Sequence, residues 1–316
     1  MRIVLIGPGF SPIPPTGWGA VESLVWDYYV NLKKLNHEVI IINTINMKKI
    51  ICQTLNFNPD IIHIMYDEHI NLASFFKNKK VYYTSHYAYI THKNFETKFS
   101  SYFNQIFKKV IENKDNIYIN AISEEIKKKY IQHGFPEEKI NVINNGARED
   151  TFRFDEECKF PDKSIYIAKI EDRKRQFKYQ SIEGIEFAGN FHNSSFNTNN
   201  SNYLGEWTKE MLYDRTTNYA NLILLSDGEA DPLVVKEGLM AGLGVVISEC
   251  SAANLDREKE FIDVIPNEKI DDIEYIIDVI IKNREKSCKM RKEIRKYALD
   301  NFGWNKIIKK YFNILK

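Results

Sequence analysis

Short apolar runs alternate with helix-period stretches along most of this chain. RIVLIG opens the series, and Val21, Leu24, Val25, Tyr28 and Leu32 then recur at helical spacing. HEVIIINTI, IIHIMY, KVYYTSH, residues 117–122 and INVINNG follow, with helix-period segments between them. Near-continuous β-branched runs mark strands buried on both faces, and so a parallel sheet. Strands separated by helices form βαβ units. Residues 148–163 are charged and aperiodic, which predicts a linker. A second series then begins: SIYIAKI, IEFAGNF, NYLGEW, ANLILLS, LGVVIS and EFIDVI. The Asn- and Ser-rich stretch 193–202 predicts a mobile surface loop. From residue 271 the pattern is helical, Gly303 breaks it, and a last helix is predicted over 304–314. The fold class is therefore α/β, with two Rossmann-like doubly wound domains over 1–155 and 156–300 and a cleft between them.

Length supports the division, because 316 residues exceed one ordinary core. Charge adds a negative result. Lys and Arg total 44 against 43 Asp and Glu, a formal charge of +1, so there is no global reason to expect nucleic acid. The four cysteines, Cys52, Cys158, Cys250 and Cys288, are scattered without metal or redox spacing, which fits a reducing, cytoplasmic compartment. RIVLIGPGF reads as a first strand rather than a signal peptide, and no run approaches the roughly 18 apolar residues of a membrane span. There is no GxSxG elbow or HExxH pair, and His37, His63, His69, His92, His133 and His192 show no metal spacing. No metal site is expected.

The chemistry concentrates in SDGEADPLVVKEGLMAGLGVVISE, where Glu229 and Glu237 stand eight positions apart. Glu229 follows an apolar strand, and Glu237 lies inside the next helix. Ligands of open α/β sheets bind at strand carboxyl ends, and helix N-termini attract anions. Carboxylates beside an anion site suit a ligand with both phosphates and hydroxyls, such as a nucleotide sugar. Asp231 and Pro232 read as N-cap and first residue of the helix, with Leu233 next. Val234, Val235, Leu239 and Met240 make this helix largely apolar, so a carboxylate at Glu237 needs a partner, and a ribose diol would be one. Lys169 and Lys174 flank the end of SIYIAKI, where fixed cations would stabilise a departing diphosphate; a solvated basic loop is the competing reading. In the first half, Gly17, Gly19 and Ala20 lie between the first strand and first helix, in a plausible phosphate cradle that is not GxGxxG. His86 ends its strand, facing a cleft or serving a structural hydrogen bond. Trp207 is either near a base or in the core.

In order along the chain, these segments resemble the retaining glycosyltransferases of family 4, which have the GT-B fold. The family's PPxxYGGxE loop is similar to Pro14-Pro15-Thr16-Gly17-Trp18-Gly19-Ala20-Val21-Glu22, YIAKIEDRKR to its GRLxxxKG strand end, and Glu229 with Glu237 to its E-x7-E motif. NFGWNKIIKKY looks like the helix that crosses back to the first domain, here within 301–316. The resemblance implies that Lys169, Lys174, Glu229 and His86 act at the transferred sugar and its leaving group. It also implies that Gly17, Gly19, Ala20, Asp231, Leu233 and Glu237 hold the donor. No cofactor or metal is required. The donor would be a UDP- or GDP-sugar and the acceptor a glycan, a lipid-linked molecule or a small molecule. A peripheral membrane contact through Tyr89, His92, Lys93, Phe95 and Lys98 competes with a solvated helix. The chain departs from the pattern at Lys169 for Arg, Ala20 for Gly, Asp231-Pro232 for an aromatic-glycine pair and Arg148 for Asp. A catalytically weak nucleotide-sugar binding protein, or an NAD-dependent oxidoreductase, are the alternatives.

Overall fold

Apolar strands of three to eight residues, most of them followed by a helix or a short helical turn, build the computed structural model as two α/β units. It describes residues 1–17, 19–91 and 100–315. The first unit comprises Met1–Asn145 with Trp304–Lys316, and the second comprises Gly146–Gly303.

In the first unit the chain runs β1 (Arg2–Ile6), α1 (Ala20–Lys34), β2 (Glu38–Ile42), α2 (Met47–Phe57), β3 (Ile61–Ile64) and β4 (Lys80–Tyr83). It continues through α3 (Ser100–Glu112), β5 (Tyr118–Ala121), α4 (Glu124–Gln132) and β6 (Ile140–Val142). All six predicted strands form, in the order β2-β1-β3-β4-β5-β6, with every pairing parallel. Ile3, Val4, Leu5 and Ile6 have no exposed surface, as expected of a strand covered on both faces. Strand order reverses between β1 and β3, which makes that pair the switch point of the unit.

The second unit contains β7 (Phe160–Ile167), α5 (Gln176–Tyr179), β8 (Ile185–Ala188), α6 (Lys209–Arg215), β9 (Tyr219–Leu224) and α7 (Leu233–Met240). Then come β10 (Gly244–Ser248), β11 (Ile262–Ile265), α8 (Ile273–Lys289) and α9 (Arg291–Phe302). The parallel sheet has the order β11-β10-β9-β7-β8, so its switch point lies between β7 and β9. Five strands form rather than six. NYLGEW makes one isolated bridge, Phe187↔Tyr203, because Gly205 turns the chain at φ 75° just before Thr208 caps α6.

Two further expectations change. Residues 148–163, read as a linker, are fastened to the second unit. Arg291, almost wholly buried, donates to the carbonyls of Asp155, Thr217 and Tyr219, while Arg295 donates to that of Glu149. The last four residues of this stretch already belong to β7. The Asn-rich loop is also pinned: Asn193 caps Ser195, Gln180 bonds Asn197 in both directions, and Phe196 is buried.

A final helix, α10 (Trp304–Leu315), belongs to the first unit and buries Trp304, Ile307, Ile308, Tyr311 and Leu315. Tyr311 donates or accepts at His63 Nδ1 over 2.9 Å, and His63 Nε2 meets Thr84 Oγ1 at 2.8 Å. Burial, with a smaller push from His86, lowers His63 to about 3, so it serves this link as a neutral ring. Of the stretch considered for a membrane contact, His92, Lys93, Phe95 and Lys98 lie outside the described residues, and Tyr89 is buried. No helix among the described residues is long and apolar enough to cross a membrane.

Candidate donor site

The switch point of the second unit gathers the charged residues singled out by the sequence. Beyond β7 the chain passes Lys169 and turns through residues 172–174 into Arg175, which adopts φ 57°. Gly189 lets this strand end lie close to the neighbouring one, because a Cβ there would sit 1.8 Å from the Ala168 carbonyl oxygen. Two backbone bonds extend the pairing, Ile170 N–H to Asn190 O at 2.8 Å and His192 N–H to Ile170 O at 3.0 Å. The loop after β9 then locks onto the turn: Asp227 N–H donates to Arg173 O at 2.8 Å and Ser226 Oγ to the same oxygen at 3.2 Å. Arg175 reaches Asp227 and Asp271 from below.

This packing places Glu229 against two cations. Its Oε1 accepts from Lys174 Nζ and, at 3.3 Å, from Arg173. Glu229 and Lys174 are both about nine-tenths buried. Burial alone would raise the Glu229 carboxyl, but Lys174 and then Arg173 outweigh it and hold the group below its ordinary value. Arg173 was not singled out by the sequence. It also pairs with Glu171 at 2.8 Å and donates to Gly228 O. Its adjacency to Lys174 in the RKR run was the available signal. Lys169 stands apart, with 46% of its side chain exposed and Glu171 no closer than 3.9 Å.

The acidic helix starts one residue later than predicted. Pro232, extended at φ −67° and ψ 122°, occupies the N-cap position of α7, and no side chain caps it. Asp231 is drawn inward instead. Its Oδ2 pairs with Lys236 and its Oδ1 accepts from Asn254 Nδ2 at 3.0 Å. Lys236 is 1% exposed and lies 5.2 Å from the centre of the Phe302 ring. A lysine in an apolar helix, five residues beyond an aspartate, was a legible sign of this pair; Asn254 had none. Leu233 opens α7, so its N–H is among the helix's unbonded donors.

One turn further, Glu237 is half-buried and has no hydrogen-bonding or ion-pair partner among the described residues. Burial raises its carboxyl above the ordinary value, opposed by the charges of Lys209 and Arg148. Trp207 is buried in the core of this unit. No group of three or more His, Cys, Asp or Glu among the described residues is arranged to hold a metal ion.

The remaining predicted residues are in the first unit. Gly19 is the N-cap of α1 at φ 138°, where a Cβ would meet Glu22 Oε2 at 2.9 Å, and Ala20 opens the helix. Gly17 is half-buried. His86 follows β4 with both ring nitrogens out of solvent and without a hydrogen-bond partner, and burial lowers it to about 4. Its ring is therefore neutral near pH 7.

Comparison with known proteins bears on the fold. The model of Glycosyltransferase Family 4 matches residues 29–150. No curated protein sequence matches the chain. Among solved structures, Anabaena HepE in complex with UDP and glucose is 13% identical, with a TM-score of 0.74 over 100% of this chain and 99% of its own. Sucrose-phosphate synthase from Thermosynechococcus elongatus is 11% identical, with a TM-score of 0.80 over 99% of this chain and 98% of its own. The lipopolysaccharide outer core galactosyltransferase WaaB in its apo form is 15% identical, with a TM-score of 0.66 over 99% and 98%. The fold is that of the GT-B glycosyltransferases, as the resemblance implied, and the family match supports a glycosyltransferase.

Proposed function

We propose that this chain transfers a sugar from a nucleoside diphosphate donor to a hydroxyl acceptor with retention of configuration and without a metal. The observation that carries the reading is the composition of one switch point. A cation pair is gathered on Glu229, and α7, which starts just beyond that loop, carries the unpartnered carboxylate of Glu237.

In this reading Glu237 accepts hydrogen bonds from the two ribose hydroxyls, which supplies the partner its burial demands. Lys169, Lys174 and Arg173 face the diphosphate, whose charge grows as the bond from the sugar's anomeric carbon to the β-phosphate oxygen lengthens. Glu229 holds two of those cations in place and accepts from the donor sugar's hydroxyls. The acceptor oxygen bonds to the anomeric carbon on the face the diphosphate leaves, and its proton passes to the departing phosphate oxygen. No protein nucleophile is needed. Gly17, Gly19 and Ala20 as donor-binding backbone, Leu233 through its N–H, and a neutral His86 at the transferred sugar complete the proposal on the strength of the resemblance. Asp231 enters differently, as a residue that positions the loop through Lys236 and Asn254. UDP is the favoured nucleotide, because HepE is seen with it, and GDP is the alternative. A cytoplasmic setting rests on the scattered, free cysteines.

The test is a proton NMR time course of UDP- and GDP-sugars with the full chain. The α-linked donors should be consumed, slowly to water or faster to an acceptor, and the first sugar product should be α. A β product would contradict retention. Tight binding without consumption would favour a nucleotide-sugar binding protein, the reading that Pro232 supports by lacking an N–H at the start of α7.

A further inference from the structure

Cys158 and Cys288 lie far apart in the sequence, one just ahead of β7 and the other in the last turn of α8. The fold brings them together. Arg291, one turn beyond Cys288, reaches the segment before β7: its Nε donates to Asp155 O at 2.8 Å, and its other nitrogens donate to Thr217 O and, at 3.1 Å, to Tyr219 O. Its neighbour Lys292 pairs with Glu156 at 2.8 Å. Cys158 Sγ donates to Asn218 O at 3.6 Å, between the two carbonyls that Arg291 holds. The segment before β7 and the α8–α9 junction are thus fastened on both sides of Cys158. There the Cys158 and Cys288 thiols interact directly, with Arg291 acting on both and Arg284 on Cys288. Both side chains are partly exposed, and both sulfurs are free.

A thiol reacts through its thiolate, which cations and hydrogen-bond donors favour. The two members of this pair differ. A hydrogen bond from Cys288, with help from Arg291 and the Phe160 N–H, outweighs burial and Asp162 and lowers Cys158 to about 7. Cys288 is pushed upward, by its bond to Cys158 and then by burial, so it stays protonated. Cys158 is then about half thiolate near pH 7, close to the optimum for an attacking sulfur. Cys250 has no such setting, and burial raises it.

We propose that Cys158 is a peroxide-reactive thiol and that Cys288 is its resolving partner. The Cys158 thiolate attacks an oxygen of a hydroperoxide, the O–O bond breaks, and the alkoxide or hydroxide that leaves takes up a proton. Cys158 becomes a sulfenic acid. The Cys288 sulfur then attacks the Cys158 sulfur: an S–S bond forms, the S–O bond breaks, and hydroxide departs as water with the Cys288 proton. Two electrons pass from the thiols to the peroxide, and a dithiol reductant returns them by exchange. A reversible disulfide of this kind is compatible with a reducing compartment. It uses none of the residues assigned to the donor, so it stands apart from the proposed function.

Peptide mapping by mass spectrometry of the full chain, treated with hydrogen peroxide at neutral pH, tests this. A peptide pair linked through Cys158 and Cys288 should appear and should vanish with dithiothreitol. In Cys288→Ser, which keeps a hydrogen-bond donor beside Cys158, the sulfenic acid should persist and be trapped at Cys158 by dimedone. Labelling there should run roughly tenfold faster than at the exposed Cys52. The wild-type linkage needs no variant, so a misfolded Cys288→Ser chain would not spare the proposal. Absence of the linked pair in the wild type would overturn it. So would dimedone labelling of Cys52 at the same rate as Cys158.

Discussion

Lys174 and Glu229 are 55 positions apart in sequence and share an ion pair that also holds Arg173. The sequence marked Lys174 and Glu229 because each follows an apolar run, and strand ends in parallel sheets are where side chains can act. It could not mark their pairing, which depends on β7 and β9 being neighbours in the sheet. Arg173 went unnoticed for the same reason, as did Asn254, which donates to Asp231. If Lys174 stabilises charge on the departing diphosphate, its effect belongs to the transition state. Lys174→Ala should lower kcat for donor hydrolysis by about 10²-fold, with KM changed far less. A rise in KM at unaltered kcat would assign the residue to ground-state binding instead.

At the scale of elements, α7 is the informative case. Its apolar face and position were legible from the run of Val, Leu and Met, and the need of Glu237 for a partner followed from that setting. Its first turn was misread because Asp-Pro is a good helix start in isolation. In the folded chain Asp231 is worth more as the partner of a buried lysine than as a cap, since burial pushes Lys236 below its ordinary value and Asp231 offsets that. Replacing one member strands the other. Lys236→Met should cost about 3 kcal/mol in urea unfolding, and the double change Asp231→Asn, Lys236→Met should recover much of it. Additive losses in the double variant would show that the two side chains do not depend on each other. The misassigned strand NYLGEW makes a related point: an apolar run with a glycine inside it can serve a turn and a single bridge as readily as a strand.

Across the whole molecule, two doubly wound sheets were legible because fully buried parallel strands leave continuous β-branched runs, and these survive without any knowledge of packing. All six strands of the first unit and five of the second's six predicted runs are present. The charged stretch after residue 147 was harder, because the arginines that fasten it, Arg291 and Arg295, come from α9, far along the chain. Their burial could not be inferred from local polarity. The fold is that of the GT-B glycosyltransferases, and the central claim of the proposed function is a nucleotide site in the second unit built around Glu237. Calorimetric titration of UDP into the wild-type chain and into Glu237→Ala tests it most directly. The account predicts saturable binding to the wild type, weakened about 10- to 100-fold in the variant by the loss of hydrogen bonds to a charged acceptor. Equal affinity in the two proteins, or no UDP binding by the wild type, would contradict it.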